Sequence, residues 1–294
     1  MMKNYRIGGL FEKFPLIKKF ITIYNNEREK FNNDINISSI YGSNKTIWGG
    51  GRYIGTDIPN EKDVADFMKT VPNISPCLVV SNLLLKESHL NDSDGLEMLD
   101  AFKDFDNMEF IVGCDTMFCY LKGLGYTPED SFISSVTKCL ENEHEINDEF
   151  VNYKRVVINE NKIKDYGYLF NLPEWKRKKT EILVNGACPT KCLYRKEHYI
   201  EYSSECLHLK KHKPHLCISG DSKSGPLYKL IKQPLFIKRE DVDLYSNNGI
   251  SNFKIQGRTN YNLDYIETLL YYLVKPEYWL EIRQRLMLGE NLCI

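Results

Sequence analysis

Four cysteines lie close together in the last third of the chain, Cys188, Cys192, Cys206 and Cys217, in the pattern C-x3-C-x13-C-x10-C. A thiolate is a soft ligand, and four of them complete either a cubane iron–sulfur cluster or a tetrahedral zinc site. The spacing is neither the ferredoxin run nor the tight C-x2-C pair of a zinc ribbon, so it leaves iron and zinc both open. His208, His212 and His215 fall between the last two cysteines and admit mixed cysteine–histidine zinc coordination. They read equally as solvated residues around the basic run Lys210-Lys211-His212-Lys213. His198, shortly after Cys192, is a candidate acid or base. The other five cysteines, Cys77, Cys114, Cys119, Cys139 and Cys293, are scattered, and each reads by default as a small buried hydrophobe.

A second group of candidates comprises Lys254 and Arg258 as catalytic residues and several others as substrate contacts. Phe253-Lys254-Ile255-Gln256-Gly257-Arg258 sets Lys254 and Gln256 on one side of a strand by simple alternation, with the planar fork of Arg258 at its end suited to a carboxylate or phosphate. Trp48-Gly49-Gly50-Gly51-Arg52 is glycine-rich enough to let a ligand approach the backbone beside Arg52, but it lacks the Lys-Ser/Thr ending of a phosphate loop. Asn82, Asp115 and Lys138 sit where other strands end and are further candidates for lining one pocket. No His-Glu-x-x-His helix, no G-x-S-x-G elbow and no dinucleotide fingerprint is present, which argues against standard zinc peptidases, α/β-hydrolases and Rossmann dehydrogenases.

The elements that must position these residues read as repeated strand–helix units. Apolar or β-branched runs occur at Arg6–Leu10, Ile37–Tyr41, Cys77–Ser81, Glu109–Gly113, Phe132–Thr137, Arg155–Asn159, Glu181–Asn185 and Phe253–Gln256. Segments with helical spacing separate many of them, including Pro15–Phe31, Glu61–Thr70, Asp94–Phe105 and Lys162–Trp175. Such alternation implies a parallel sheet buried on both faces, and eight units suggest closure into a (β/α)8 TIM-like barrel, whose chemistry gathers on the loops after the strands. An open doubly wound sheet is the alternative, better suited to six strands. Residues 1–294 read as one domain, and residues 186–252 as a long metal-binding loop inserted between strands seven and eight. Leu263–Leu288 reads as two helices broken at Pro276, Glu141–Tyr153 as a mobile polar insertion, and Trp175–Lys179 as a solvated basic turn on the face opposite the site.

At 294 residues the chain buries a large core without disulfide staples, and its 39 basic residues nearly cancel 40 acidic ones. No global field draws it to nucleic acid or anionic lipid. Its apolar runs are far shorter than the roughly 20 residues that cross a bilayer, and no signal-peptide pattern opens it. The expectation is a cytoplasmic protein with no membrane association, in which nine cysteines do not form a disulfide framework.

The stretch Asp241-Val242-Asp243-Leu244 through Gly249-Ile250-Ser251-Asn252-Phe253-Lys254-Ile255-Gln256-Gly257-Arg258 resembles the D-L…G-(V/I)-x-x-F-K-I-E-G-R segment of the collagenase-like U32 peptidase family, with Gln256 in place of the usual glutamate. Gly186-Ala187-Cys188 keeps the core of that family's cysteine signature at altered spacing, and the likeness is firm over the carboxyl-terminal 40 per cent or so. The resemblance implies a barrel with an iron–sulfur site, as in relatives that carry out oxygen-independent hydroxylation. On it, Cys188, Cys192, Cys206 and Cys217 become ligands of a 4Fe-4S cluster, ahead of zinc. The leading expectation is therefore an iron–sulfur redox or hydroxylase-like enzyme. It would take a small or medium substrate held by Arg52, Lys254 and Arg258, with an electron donor or partner subunit; RNA is a substrate by family analogy only. The alternatives are a U32-like peptidase or hydrolase, and a non-catalytic barrel stabilised by zinc.

Overall fold

The computed structural model describes residues 1–50, 59–209, 226–257 and 262–288. Among them eight strands, β1 (Lys3–Gly8), β2 (Ile35–Gly42), β3 (Ser75–Val80), β4 (Glu109–Val112), β5 (Phe132–Ser134), β6 (Arg155–Val157), β7 (Thr180–Leu183) and β8 (Asn252–Ile255), run parallel and close in chain order into a barrel. β1 returns to pair with β8. The architecture is the expected (β/α)8 barrel. Helices α1 (Phe14–Asn26), α2 (Glu61–Lys69), α3 (Ser93–Phe102), α4 (Asp115–Gly123), α5 (Pro128–Ser131), α6 (Glu143–Asn152), α7 (Tyr166–Asn171) and α8 (Glu174–Lys179) lie between the first seven strands. The connection from β7 to β8 carries α9 (Arg195–Cys206), α10 (Leu227–Leu230) and α11 (Arg239–Asn247), and α12 (Asn262–Leu273) and α13 (Trp279–Met287) follow β8.

Local chemistry sets many of these boundaries. Asn60, Asp92, Asn142 and Asp165 each accept a backbone N–H from the first turn of the helix they precede, satisfying donors that a helix start leaves orphaned. Between caps, apolar spacing does the rest: α1 buries Phe14, Leu16, Ile17, Phe20, Ile21, Ile23 and Tyr24, each worth about 1.5–3 kcal/mol when fully removed from water. Alternation divides every strand between two layers. Tyr5, Ile7, Ile40, Phe110, Phe132 and Phe253 join the core between sheet and helices. Tyr41, Cys77, Val79, Ile111, Ile133 and Val157 form a separate cluster inside the barrel.

Two local expectations are corrected. Glu141–Tyr153 is no mobile insertion: Asn142 caps α6, which buries Ile146 and Phe150. The basic run Trp175–Lys179 belongs to the short helix α8, where Arg177 donates to the carbonyls of Phe170 and Leu172 and Lys179 to that of Phe150. Leu263–Leu288 does form two helices, with a single 3-10 turn at Pro276–Tyr278 between them. Among the described residues, no helix is long and apolar enough to cross a membrane.

Candidate active site at the barrel mouth

The two ends of the barrel interior differ in chemistry. Near the amino-terminal ends of the strands, Arg6 is fully buried and ties β1 to three other strands, β2, β4 and β7. Its Nε donates to Ser39 Oγ (2.7 Å), Nη1 to Glu181 Oε2 (2.7 Å) and Nη2 to Glu109 Oε2 (2.8 Å). Lys154 adds a contact to Glu109 Oε1 at 2.8 Å. Burial alone would raise the Glu109 carboxyl, but Arg6, Arg155 and Lys154 outweigh it and hold the pKa to about 2. This end of a (β/α)8 barrel serves stability rather than chemistry. Above the network, burial pushes the Cys77 thiol up to about 12, and the Lys254 ammonium lies 4.3 Å from the centre of the Tyr41 ring.

At the mouth the conspicuous group is Glu12, which no sequence motif singled out. β1 ends at Gly8, Gly9 adopts φ +104°, a conformation open to glycine, and the chain turns before α1 begins. The backbone N–H groups of Gly9, Phe11 and Glu12 itself approach the Glu12 carboxylate and favour its charge, yet burial dominates and raises its pKa to about 7. Its Oε2 is sealed from solvent and has no hydrogen-bond partner among the described residues. Gly42, the last residue of β2, makes room for it: a Cβ there would lie 3.0 Å from Oε2. Next to Gly42, Ser43 is 3% exposed, and its Oγ also has no partner among the described residues. Two polar atoms without a partner among the described residues thus follow adjacent strands, and burial raises the pKa of the carboxyl that carries one of them. Such a combination marks a candidate site for proton transfer.

The residues nominated from sequence are scattered rather than gathered. Lys254 does point into the barrel, beside Tyr41. Gln256 is joined to Asn185 through its main chain, donating its N–H to Asn185 Oδ1 (2.7 Å) and accepting from Nδ2 (2.9 Å). Asn82 is consumed by structure: its amide donates to the carbonyls of Ile47 and Ser203 and accepts from the Leu84 N–H. Lys138 turns away to Glu149, at 2.8 and 2.9 Å, and to the Tyr153 hydroxyl at 2.8 Å. Asp115 is exposed at the start of α4. His198 packs on Tyr202 one turn along α9, with ring centres 4.6 Å apart. In the glycine-rich run, Gly50 at φ +65° lets the chain press against the Asn82 backbone; what approaches there is protein. Arg52, Arg258, Cys217, His212, His215 and Cys293 lie outside the described residues.

The β7–β8 connection accounts for the remaining cysteines. Cys192 precedes α9 by three residues, whereas Cys206 belongs to it. The Arg195 N–H bonds the Cys192 carbonyl, closing a turn at the helix start, while Cys206 is the helix's last residue, its Sγ 3.6 Å from the Ile47 carbonyl oxygen. From Arg195 to Cys206 the helix rises about 16 Å. Among the described residues, no three His, Cys, Asp or Glu side chains come together as a ligand set for a metal. Cys119, expected to be buried, is exposed, whereas Cys77 is buried.

In sequence, the chain matches no protein-family model and no curated protein. Among solved structures it is similar to the U32 peptidase Mk0906, with a TM-score of 0.50 and 12% identity over 87% of this chain and 92% of that one. The likeness runs through the whole barrel rather than the segment around Lys254 alone, and it shows that this chain has the fold of a U32 peptidase.

Proposed function

We propose that the protein is a hydrolase acting on amide bonds at the carboxyl-terminal mouth of the barrel, with Glu12 as the group that moves protons. The observation that carries this reading is the Glu12 carboxyl, buried, with one oxygen unpartnered among the described residues and a pKa of about 7. Such a group accepts a proton from water as the water attacks a carbonyl carbon, and returns it to the departing nitrogen, giving a carboxylic acid and an amine. Lys254 supplies positive charge beneath the mouth, and the Ser43 hydroxyl follows the neighbouring strand β2. The fold shared with a U32 peptidase supports amides as the bond class.

The test is cleavage of gelatin, casein and a mixed peptide library, followed by mass spectrometry and compared with Glu12→Gln. The variant is expected to lose about 10²–10⁴-fold in rate, the usual worth of a positioned acid–base group, and the wild type to show a limb near pH 7 that the variant lacks. Equal rates in the two proteins, or no cleavage by either, would refute the assignment.

A thiolate-bound metal, 4Fe-4S or zinc, on Cys188, Cys192, Cys206 and Cys217 is the second reading. One observation favours it: Cys188 lies within electrostatic reach of the Arg195 guanidinium, and a neighbouring cation stabilises a thiolate. Iron, sulfide and zinc analysis of protein purified without oxygen, repeated on Cys192→Ala and Cys206→Ala, tests this reading. Metal lost in both variants supports it, and metal retained in Cys206→Ala sinks it.

A further inference from the structure

Among the described residues, the charges gathered at the amino-terminal end of the barrel do not cancel. Arg6, Lys154 and Arg155 bring three formal positive charges, against two negative ones from Glu109 and Glu181. Arg6 engages both carboxylates, and Lys154 Nζ completes Glu109 at 2.8 Å. Arg155 is the cation left over.

Its placement follows from strand geometry. Arg155 opens β6, in which Val156 joins the core between sheet and helices and Val157 the cluster inside the barrel. Alternation therefore turns Arg155 inward, to the same side as Val157. Its one ion-pair contact among the described residues is Glu181 Oε2, 4.0 Å from Nη1. That is too long for a hydrogen bond, and the same oxygen already accepts from Arg6 Nη1 at 2.7 Å. Within the described residues the Arg155 side chain makes no hydrogen bond, although its guanidinium carries five donors in a rigid plane.

The group is nonetheless reached from solvent. The Arg155 side chain is 16% exposed, whereas those of Arg6 and Glu181 are sealed. Burial, together with the Arg6 guanidinium, lowers the pKa of Arg155, and Glu109 and Glu181 offset this only in part. An arginine stays charged at neutral pH all the same. Water can hydrate the donors but leaves the charge uncompensated, while an oxyanion answers both and matches the planar fork.

We propose that Arg155 anchors a binding site for a small inorganic oxyanion at the amino-terminal end of the barrel, engaged through the fork of its guanidinium. Lys154, the preceding residue, adds to the positive field. Glu109 and Glu181 oppose the anion, but both are tied to Arg6 and neither side chain is open to solvent. The site stands at the end opposite Glu12 and is independent of the hydrolase reading. A ligand that requires the closed ring binds the native state alone and stabilises it by mass action.

The experiment titrates inorganic phosphate into the full chain by calorimetry at pH 7 and follows thermal unfolding by circular dichroism over the same phosphate range at constant ionic strength. One phosphate per chain is expected, with a Tm that rises by about 3 °C and then saturates. Arg155→Met should lose both the binding heat and the saturable rise. Arg155→Lys keeps the charge without the fork and should bind about tenfold more weakly; it also carries the test if the methionine variant does not fold. No binding heat in the wild type overturns the site, as does phosphate affinity unchanged in Arg155→Lys. An equal Tm rise in wild type and variants marks a general salt effect and overturns it too.

Discussion

Replacing Glu12 by glutamine should make the protein more stable and less active, with the stability gain depending on pH in a defined sense. An unperturbed carboxyl titrates near 4.5, whereas burial raises that of Glu12 to about 7 in the folded state. Below pH 4.5 both states hold the proton and the group costs nothing. As pH rises, the unfolded chain releases its proton first, so folding loses stability until the native carboxyl ionises as well, and above pH 7 the full loss is present. The gap amounts to about 3 kcal/mol at pH 8 and under about 1 kcal/mol at pH 5. Glutamine keeps the shape and never ionises. Urea unfolding followed by circular dichroism at pH 5, 6, 7 and 8 should show the variant gaining on wild type across the series and levelling off above pH 7. The backbone N–H groups of Gly9, Phe11 and Glu12 favour the charged form, and their effect is already contained in the folded-state pKa. A difference that stays constant from pH 5 to pH 8 would refute the assignment of a buried, neutral-pH carboxyl, and with it the proton-transfer role.

Three further outcomes follow from the interior. Arg6→Met should destabilise the fold by about 3–5 kcal/mol, because Glu109 and Glu181 are left buried without their shared cation; a smaller loss in a denaturant titration would mean that water or Arg155 takes its place. Lys138→Met should cost about 1–3 kcal/mol by stranding Glu149 while leaving KM for any cleaved peptide unchanged, and a raised KM would return Lys138 to the substrate site. In the native state, Cys119 should react readily with a maleimide while Cys77, buried with its thiol pushed up to about 12, stays unlabelled; mass spectrometry of the digested protein distinguishes them.

The barrel was legible from the sequence because a parallel strand packed on both faces is a short apolar run, and all eight runs, from Arg6–Leu10 to Phe253–Gln256, overlap the observed strands. Charges inside those runs were harder to interpret. Arg6, Glu109 and Glu181 look like surface residues until the ring closes and turns them toward one another. Glu12 was missed because an isolated carboxylate in Leu10-Phe11-Glu12-Lys13-Phe14 belongs to no motif; the available signal was its apolar flanks directly after the Gly8-Gly9 strand end. The long loop was the least legible part: Arg195–Cys206 has little amphipathic pattern, so α9 left no trace in the cysteine spacing.

The contacts of Arg6 also bear on how the barrel forms. Its two carboxylate partners are 103 and 175 residues away in the chain, so the triad exists only once the first, fourth and seventh strands share one ring. Contacts with such long loops to close come late, after local strand–helix units have paired. The network then acts on persistence more than on assembly. Weakening it should hasten unfolding while leaving the refolding rate nearly unchanged, so the lifetime of the closed ring depends on a charge cluster at the end of the barrel opposite the chemistry.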